Sequence, residues 1–515
     1  MQYGFLMDHD RCIGCHACSV ACKSENQVPL GVFRTWVKQV EKGAGENARR
    51  HFGVMRCNQC EHAPCVAICP TAAMHRRPDG IVDFNSALCI GCKGCIQACP
   101  YDAIYMDPES NTAAKCNFCA HRVEVGLQPA CVAACPTDAL VVGDLDDPTD
   151  PLTRTIARKA VEVRKPELGT QPKVFYKGVD QSLLDPRAAA RPAEGYWGAS
   201  REVPQEEGSV PFSGAPAAAR VAYDVPRDGL PWGAKVSTYL LAKSVGGGAL
   251  MIGGALLALG QPPRWLGEWA WGPLFALLGI ALATACLVAD LKRPERFLLL
   301  LLRPQPKSWL VKGAYVLIAS SILALAWFAG YGSDAVSKSV WQLGGALGVL
   351  AGVATCGYTA FLFAQAKGRA LWQSPLLLPH LVIQGAVAGS AALCLAPGWV
   401  ELGPAAPAGR PLLLGGILAV SLLLNLLCVL GELSTHANED AKLAVAWLKG
   451  KQQGPVVLWG VLVLGHLFPL LVLCGLFLAD PPEPGVLALA SPAALIGLWI
   501  WEHLYVQAGQ VPPLS

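Results

Sequence analysis

Sixteen of the 21 cysteines fall in the first 135 of the 515 residues, in four groups of four. The groups are Cys12, Cys15, Cys18, Cys22; Cys57, Cys60, Cys65, Cys69; Cys89, Cys92, Cys95, Cys99; and Cys116, Cys119, Cys131, Cys135. Thiolates are soft ligands suited to iron–sulfur chemistry, and four per group matches the four iron corners of a cubane cluster. A C-x2-C-x2-C loop wraps three corners with one turn of backbone, and the fourth needs a distant cysteine. Zinc ribbons use C-x2-C pairs at wider separations, and disulfide frameworks belong to small secreted domains in oxidising surroundings. The spacing therefore points to iron–sulfur ligation and to an electron carrier.

The first and third groups match the two-cluster ferredoxin run C-x2-C-x2-C-x3-C, and the third continues into Pro100. In such ferredoxins the last cysteine ligates the other cluster, so four groups imply two interlocked pairs. Internal repetition supports this. Cys12-Ile13-Gly14-Cys15 returns as Cys89-Ile90-Gly91-Cys92, and the run from Cys57 to Thr71 returns from Cys116 to Thr137 with seven extra residues. The expectation is an α+β duplicated ferredoxin-like domain over residues 1–150 holding four 4Fe-4S clusters and no three-iron cluster.

From about residue 236 the chain changes character. Eight long apolar runs, starting near Val236, Trp269, Trp309, Val340, Ser374, Pro411, Pro455 and Val486, alternate with short polar loops. A span of roughly 20 residues crosses a bilayer core of about 30 Å. Buried helices of a soluble domain would need eight consecutive segments that all lack a polar face. Residues 236–515 are thus expected to form an all-α eight-helix transmembrane bundle, with glycines such as Gly246, Gly247 and Gly248 allowing close helix approach. Residues 151–235, rich in Pro, Ala, Gly and charge, read as a connector packed on the cluster domain, with Phe175, Tyr176, Tyr196 and Trp197 as packing side chains.

The net charge of +3 on 515 residues does not point to nucleic acid, and no basic patch with stacking aromatics appears, so no nucleic-acid partner is expected. The opening Met1-Gln2-Tyr3-Gly4 predicts no cleavable signal peptide, and Arg49-Arg50 lies too far inside to be a twin-arginine signal. With eight spans both termini share one side. The loops there carry Lys292, Arg293, Arg296, Arg303, Lys307, Lys312, Lys367, Arg369, Lys442, Lys449 and Lys451, against Arg264, Lys338 and Arg410 opposite. Eleven against three predicts a cluster domain on the cytoplasmic face of a bacterial plasma membrane.

Residues 1–150 resemble the four-cluster iron–sulfur subunit of the dimethyl sulfoxide reductase superfamily, of the polysulfide/thiosulfate reductase type. The membrane half resembles the polysulfide reductase NrfD-type quinone-reactive anchor in Asp290 to Phe297, Ser308-Trp309, Gly313-Ala314-Tyr315, Gly431-Glu432 with His436, and Val506 to Gln510. That family normally makes the two parts as separate subunits, so this chain resembles a fusion. The resemblance implies a separate molybdopterin-containing catalytic subunit, four clusters relaying single electrons, and exchange with menaquinone or ubiquinone. It also implies that Cys12, Cys15 and Cys18 share a cluster with Cys135; Cys116, Cys119 and Cys131 with Cys22; Cys57, Cys60 and Cys65 with Cys99; and Cys89, Cys92 and Cys95 with Cys69. Lys23 follows Cys22 where the pattern has proline. The equivalent module of a hydrogenase or multihaem respiratory complex is the alternative.

An ionisable group inside a span costs roughly 2.5 to 3.5 kcal/mol on insertion scales, so each one suggests a role. Reducing a quinone needs two protons and hydrogen bonds to its carbonyls. Tyr239, Lys243, Asp290, His380, Glu432 and His436 are the candidate pocket or relay residues, all toward the cluster side, as are Gln384, Glu502 and His503. A purely structural reading has Asp290, Arg293 and Arg296 as an interfacial ion-pair network, and Lys243 snorkelling. His466, alone at mid-depth, lacks a paired histidine, which disfavours a bis-histidine haem. Cys286, Cys356, Cys394, Cys428 and Cys474 are expected only to pack.

Overall fold

A computed structural model describes residues 1–43, 45–190, 219–225, 229–261, 271–331, 336–396, 409–478 and 484–515. Tyr196, Trp197 and Arg264 lie outside the described residues.

The cysteine loops repeat in backbone as well as in sequence. Gly14 and Gly91 both take φ of 70°, and His16 and Lys93, one residue beyond the second cysteine of each loop, both take φ of 61°. The pairs Gln59 and Phe118, and Ala72 and Asp138, likewise share the left-handed region. This turns the chain so that successive cysteines face inward before the short helices Ala17–Glu25 and Gly94–Ala98 begin.

Small sheets hold these loops. Tyr3–Asp8 is the centre of a three-stranded sheet, antiparallel to Leu140–Asp144 and parallel to Val174–Lys177. Thr35–Lys42 is the centre of another, antiparallel to Arg49–Arg56 and to Ala219–Tyr223. Two hairpins, Met74–Arg76 with Val82–Phe84 and Ile104–Met106 with Ala113–Lys115, complete the strands. The stretch read as a connector therefore supplies strands, and Tyr176 is fully buried within it.

Eight helices among the described residues are long and apolar enough to cross a membrane: Ala234–Ala258, Trp271–Asp290, Trp309–Gly330, Lys338–Gln365, Leu377–Cys394, Leu412–Ser434, Gln453–Leu478 and Leu487–Ala508. The seventh is widened to π geometry over Val456–Leu467, a form that costs regular packing and is frequent at functional sites. The first span is 78% buried and the third only 28%, so the first is the bundle's axis. Its glycine run explains how. A Cβ on Gly246 would press on Ala276 and Ile280 of the second span, one on Gly247 on Cys356 and Gly352 of the fourth, and one on Gly248 on Gly385 and Gly389 of the fifth. Successive residues point about 100° apart, so three glycines in a row admit three neighbours at backbone distance. Leucines on the outer spans, such as Leu343, Leu350, Leu427 and Leu471, stay exposed, as a lipid-facing surface requires.

Two outcomes follow. Gly389→Ala places a methyl group inside the backbone of Gly248 and should destabilise the bundle by about 1–3 kcal/mol, as over-packing does, measurable as a lower melting temperature in detergent. His9 stacks on Tyr176 and its Nε2 accepts the Val54 N–H at 3.4 Å, and burial holds its imidazole down at about 4 against an ordinary 6.5. Below pH 6.5 the unfolded chain takes up a proton that the folded one refuses, so stability falls as pH drops from 6.5 toward 4. Thermal unfolding should show that loss in the wild type and a flatter profile in His9→Gln.

Candidate metal centres and the interface beneath them

The cysteines gather into four quartets, each taking three members from one group and the fourth from another. Cys12, Cys15, Cys18 and Cys135 line a hollow walled by Val37, Val54 and Leu140. Cys69, Cys89, Cys92 and Cys95 line a second beside Met74 and Phe84. Cys22 faces Cys116, Cys119 and Cys131, and Cys60 faces Cys57, Cys65 and Cys99.

The surroundings suit an anionic cluster. Backbone N–H groups point at sulfur from Met74 to Cys69 at 3.4 Å, Ala113 to Cys89 at 3.4 Å, Phe118 to Cys116 at 3.4 Å and Ala139 to Cys135 at 3.3 Å. Burial pushes the Cys18, Cys22 and Cys92 thiols up to about 12, a desolvation cost that coordination to metal offsets.

One end of the array is open and the other is seated. Cys15 is exposed, with Ile13, Val20 and Leu30 exposed in the same region of sequence. The quartet of Cys69, Cys89, Cys92 and Cys95 instead rests on the loop after the second span. Lys292 N–H donates to Gly91 O at 3.1 Å and Arg293 N–H to Ile90 O at 3.3 Å. A Cβ at Gly91 would strike the Lys292 backbone, so glycine serves there for approach as well as for its positive φ. Arg296 donates to the Ser86 and Cys89 carbonyls, Arg293 to that of Ser110, and Ser308 to that of Ile68. Asp290 pairs with Lys93 at 2.8 Å. The ion-pair network expected among Asp290, Arg293 and Arg296 is corrected accordingly: each reaches across to the cluster domain, because the carbonyls of the short cysteine loops have no sheet partners and need donors.

Beside this contact, Arg369 donates to Gln97 Oε1 at 2.6 Å and to Gln510 O at 3.1 Å, and Gln97 donates to Gln510 Oε1 at 2.6 Å. Trp232 donates its indole N–H to Cys92 O at 3.2 Å and stacks with Phe363 and Trp372. Three aromatic rings thus lie directly under the seated quartet.

The membrane candidates separate into several places. Tyr239 hydrogen-bonds the Tyr358 hydroxyl, and Thr359 Oγ1 at 2.9 Å. Lys243 is fully buried and donates to Cys356 O at 2.7 Å, so it does not snorkel. Beside it lies the carboxylate of Glu502, 2% exposed, with neither oxygen hydrogen-bonded among the described residues. His380 accepts from Gln384 at 3.2 Å and neighbours Asn425, which donates to His466 Nε2 at 2.9 Å. His466 Nδ1 donates to Val461 O at 2.8 Å. Glu432 accepts from Ser374 at 3.0 Å. His436 is exposed beyond the helix end at Ser434, which takes it out of any buried pocket. Sequence reasoning misses Tyr358, Thr359, Asn425 and Lys93, although a lone asparagine in the apolar run of the sixth span is itself a signal.

Residues 5–70 and residues 49–145 each match a 4Fe-4S dicluster domain, and residues 226–513 match polysulphide reductase, NrfD. The chain belongs to the polysulphide reductase NrfD family. Unlike a bare anchor, this NrfD protein carries its iron–sulfur domain fused ahead of it. The B subunit of tetrathionate reductase from Salmonella typhimurium is 44% identical over 197 residues, covering 37% of this chain and 79% of that protein. The thiosulfate reductase electron transfer subunit PhsB of Salmonella typhi is 47% identical over 163 residues, 31% of this chain and 84% of that one. Protein NrfC of Escherichia coli (strain K12) is 43% identical over 178 residues, 34% and 80% respectively. This NrfD protein is a 4Fe-4S protein and a multi-pass membrane protein.

Asp290→Ala leaves the buried Lys93 ammonium unpaired and should cost about 3–5 kcal/mol at the contact between the halves. Limited proteolysis of the detergent-solubilised protein should then release the cluster domain sooner than in wild type.

Proposed function

We propose that the chain is the electron-transfer and membrane-anchor subunit of a molybdopterin oxidoreductase complex, relaying electrons between a separate catalytic subunit and membrane menaquinone or ubiquinone. The observation that carries this is the array of four crossed quartets, open at Cys15 and seated at Gly91 on the anchor's own loop. The sixteen cysteines would hold four 4Fe-4S clusters. Each cluster, when bound, supplies a one-electron store whose potential depends on charge, hydrogen bonds to sulfur and exposure.

This chain's residues do the remaining work. The exposed apolar side chains Ile13, Val20 and Leu30 suit contact with a catalytic partner. At the other end Trp232, Phe363 and Trp372 offer flat apolar faces beneath Cys92, the kind of surface against which a quinone head group lies. Tyr239, Lys243 and Glu502, with His380 and Glu432 on neighbouring spans, are groups able to hold and pass protons. Asp290, committed to Lys93, is better read as a clasp between the halves, and His436 as a surface residue. The loop charges favour a cytoplasmic cluster domain: setting aside Arg293, Arg296 and Arg369, which are bonded into the interface, eight basic residues remain against three.

The test is to purify the protein with its partners and assay metal. A molybdenum-containing large subunit, with about sixteen irons on this chain as four cubanes require, supports the reading. Nickel or covalent haem in the partner transfers it to a hydrogenase or multihaem complex, and few irons with no partner overturns it.

A further inference from the structure

Arg56 immediately precedes Cys57, yet its guanidinium turns to a different quartet, that of Cys22, Cys116, Cys119 and Cys131. It donates to Cys116 Sγ at 3.1 Å and to Cys131 Sγ at 3.3 Å. The side chain is 1% exposed, and its guanidinium carbon lies 3.7 Å from the centroid of the Phe5 ring, itself fully buried. Its third nitrogen, Nε, has no hydrogen-bond partner among the described residues. A buried cation is costly unless negative charge faces it, and the negative charge facing this one is that of two cysteine sulfurs.

The other donors to cysteine sulfur described for the four quartets are neutral. They include backbone N–H groups to Cys69, Cys89, Cys116 and Cys135, the Thr137 hydroxyl beside Cys135 at 3.8 Å, the Asn26 amide, 3.8 Å from Cys22 and 3.6 Å from Cys119, and the Ser19 and Thr170 hydroxyls beside Cys18 and Cys60. Among the hydrogen bonds of the described residues, the Arg56 contacts alone bring a full charge to sulfur.

We propose that Arg56 sets the reduction potential of the cluster held by Cys22, Cys116, Cys119 and Cys131, raising it relative to a neutral side chain in its place. This rests on the four-cluster reading above. When that cluster accepts one electron from a neighbouring cluster, the donor is oxidised by one unit, and the four-thiolate assembly beside Arg56 becomes one unit more negative. A guanidinium pinned by two N–H···S bonds stabilises the more negative state more than the less negative one, and burial keeps salt and water from screening it. Arginine stays protonated throughout the working range, so the bias is permanent. Arg56 is therefore a positioning residue for charge: it controls how readily electrons pause at the second quartet between Cys15 and the membrane.

The experiment is a redox titration of the full-length protein in detergent, followed by electron paramagnetic resonance, on wild type, Arg56→Gln and Arg56→Lys. Iron content is measured first. A wild type with far fewer than about sixteen irons means that the four-cluster reading itself has failed, whatever Arg56 does. With the irons in place, Arg56→Gln should lower one midpoint by tenfold or more in the one-electron equilibrium, about 59 mV, with a smaller fall at the quartet of Cys18, which the Arg56 charge also reaches, and none at the other two. Arg56→Lys keeps the charge but not the fork that reaches both sulfurs, and should shift the same midpoint down by less. If the glutamine variant loses iron, the lysine variant decides. A fall that is largest at one midpoint supports the assignment, whereas four wild-type midpoints, or an equal fall in all four, overturn it. A merely structural arginine would move the melting temperature and not a single midpoint.

Discussion

The borrowed fourth cysteine is the constraint on which the first half of the molecule depends. No quartet can be closed by its own loop, so Cys22 must meet Cys116, and Cys69 must meet Cys89, before either centre is complete. The left-handed turns at Gly14 and His16, repeated at Gly91 and Lys93, aim each loop inward. The sheets through Tyr3–Asp8 and Thr35–Lys42 then bring distant loops together. Closing such long loops costs chain entropy that grows slowly with length, and metal coordination is the interaction large enough to offset it.

Buried positive charge runs alongside this array. Arg56 lies against Cys116 and Cys131, Lys115 near Cys65, Arg369 near Cys99, and Lys93 near Cys92. Lys115 is buried and satisfied by carbonyl oxygens, whereas Arg369, held by amide and carbonyl oxygens, also faces the Asp102 carboxylate. The Lys115 charge is left to act on the Cys65 thiolate, and that of Arg369 is shared between Asp102 and Cys99. Arg369 and the Asp290 that clasps Lys93 both belong to the membrane half, so the electrostatic environment of the inner quartets is built jointly by two domains, of which the iron–sulfur relatives match about a third of the chain.

The parts of this structure that are legible in sequence are those fixed by local spacing. Thiol spacing is a property of single loops, and the length of an apolar run is a property of single helices, so the four cysteine groups and the eight spans can be placed within a few residues. What cannot be read is which distant group answers which. Sequence groups Asp290 with its neighbours Arg293 and Arg296, but it answers Lys93 across the interface. For Lys243 the sequence offers a pocket or snorkelling, and its Cys356 carbonyl partner lies on a helix more than a hundred residues away. His436 reads as closing the sixth span only because the helix end at Ser434 leaves no mark in composition. Nothing local distinguishes Arg56 from other cations, and Val174–Lys177 reads as linker, since a four-residue strand is too short to show a period.

The bond between Gln97 and Gln510 joins residues 413 positions apart. Gln97 belongs to the helix between Cys95 and Cys99, and Gln510 follows the eighth span. The same glutamine brackets Trp232 at the entrance to the first span. During synthesis the cluster domain and all eight helices must exist before this clasp can close, whereas the loop contacts at Gly91 need only the first two spans. Fusion gives the two halves a fixed ratio and a high local concentration, and the glutamine clasp adds a contact that only a folded eighth span can supply. The molecule thus carries a built-in order of assembly, in which the first helix is seated on the cluster domain early and locked by Gln510 only once the bundle is whole.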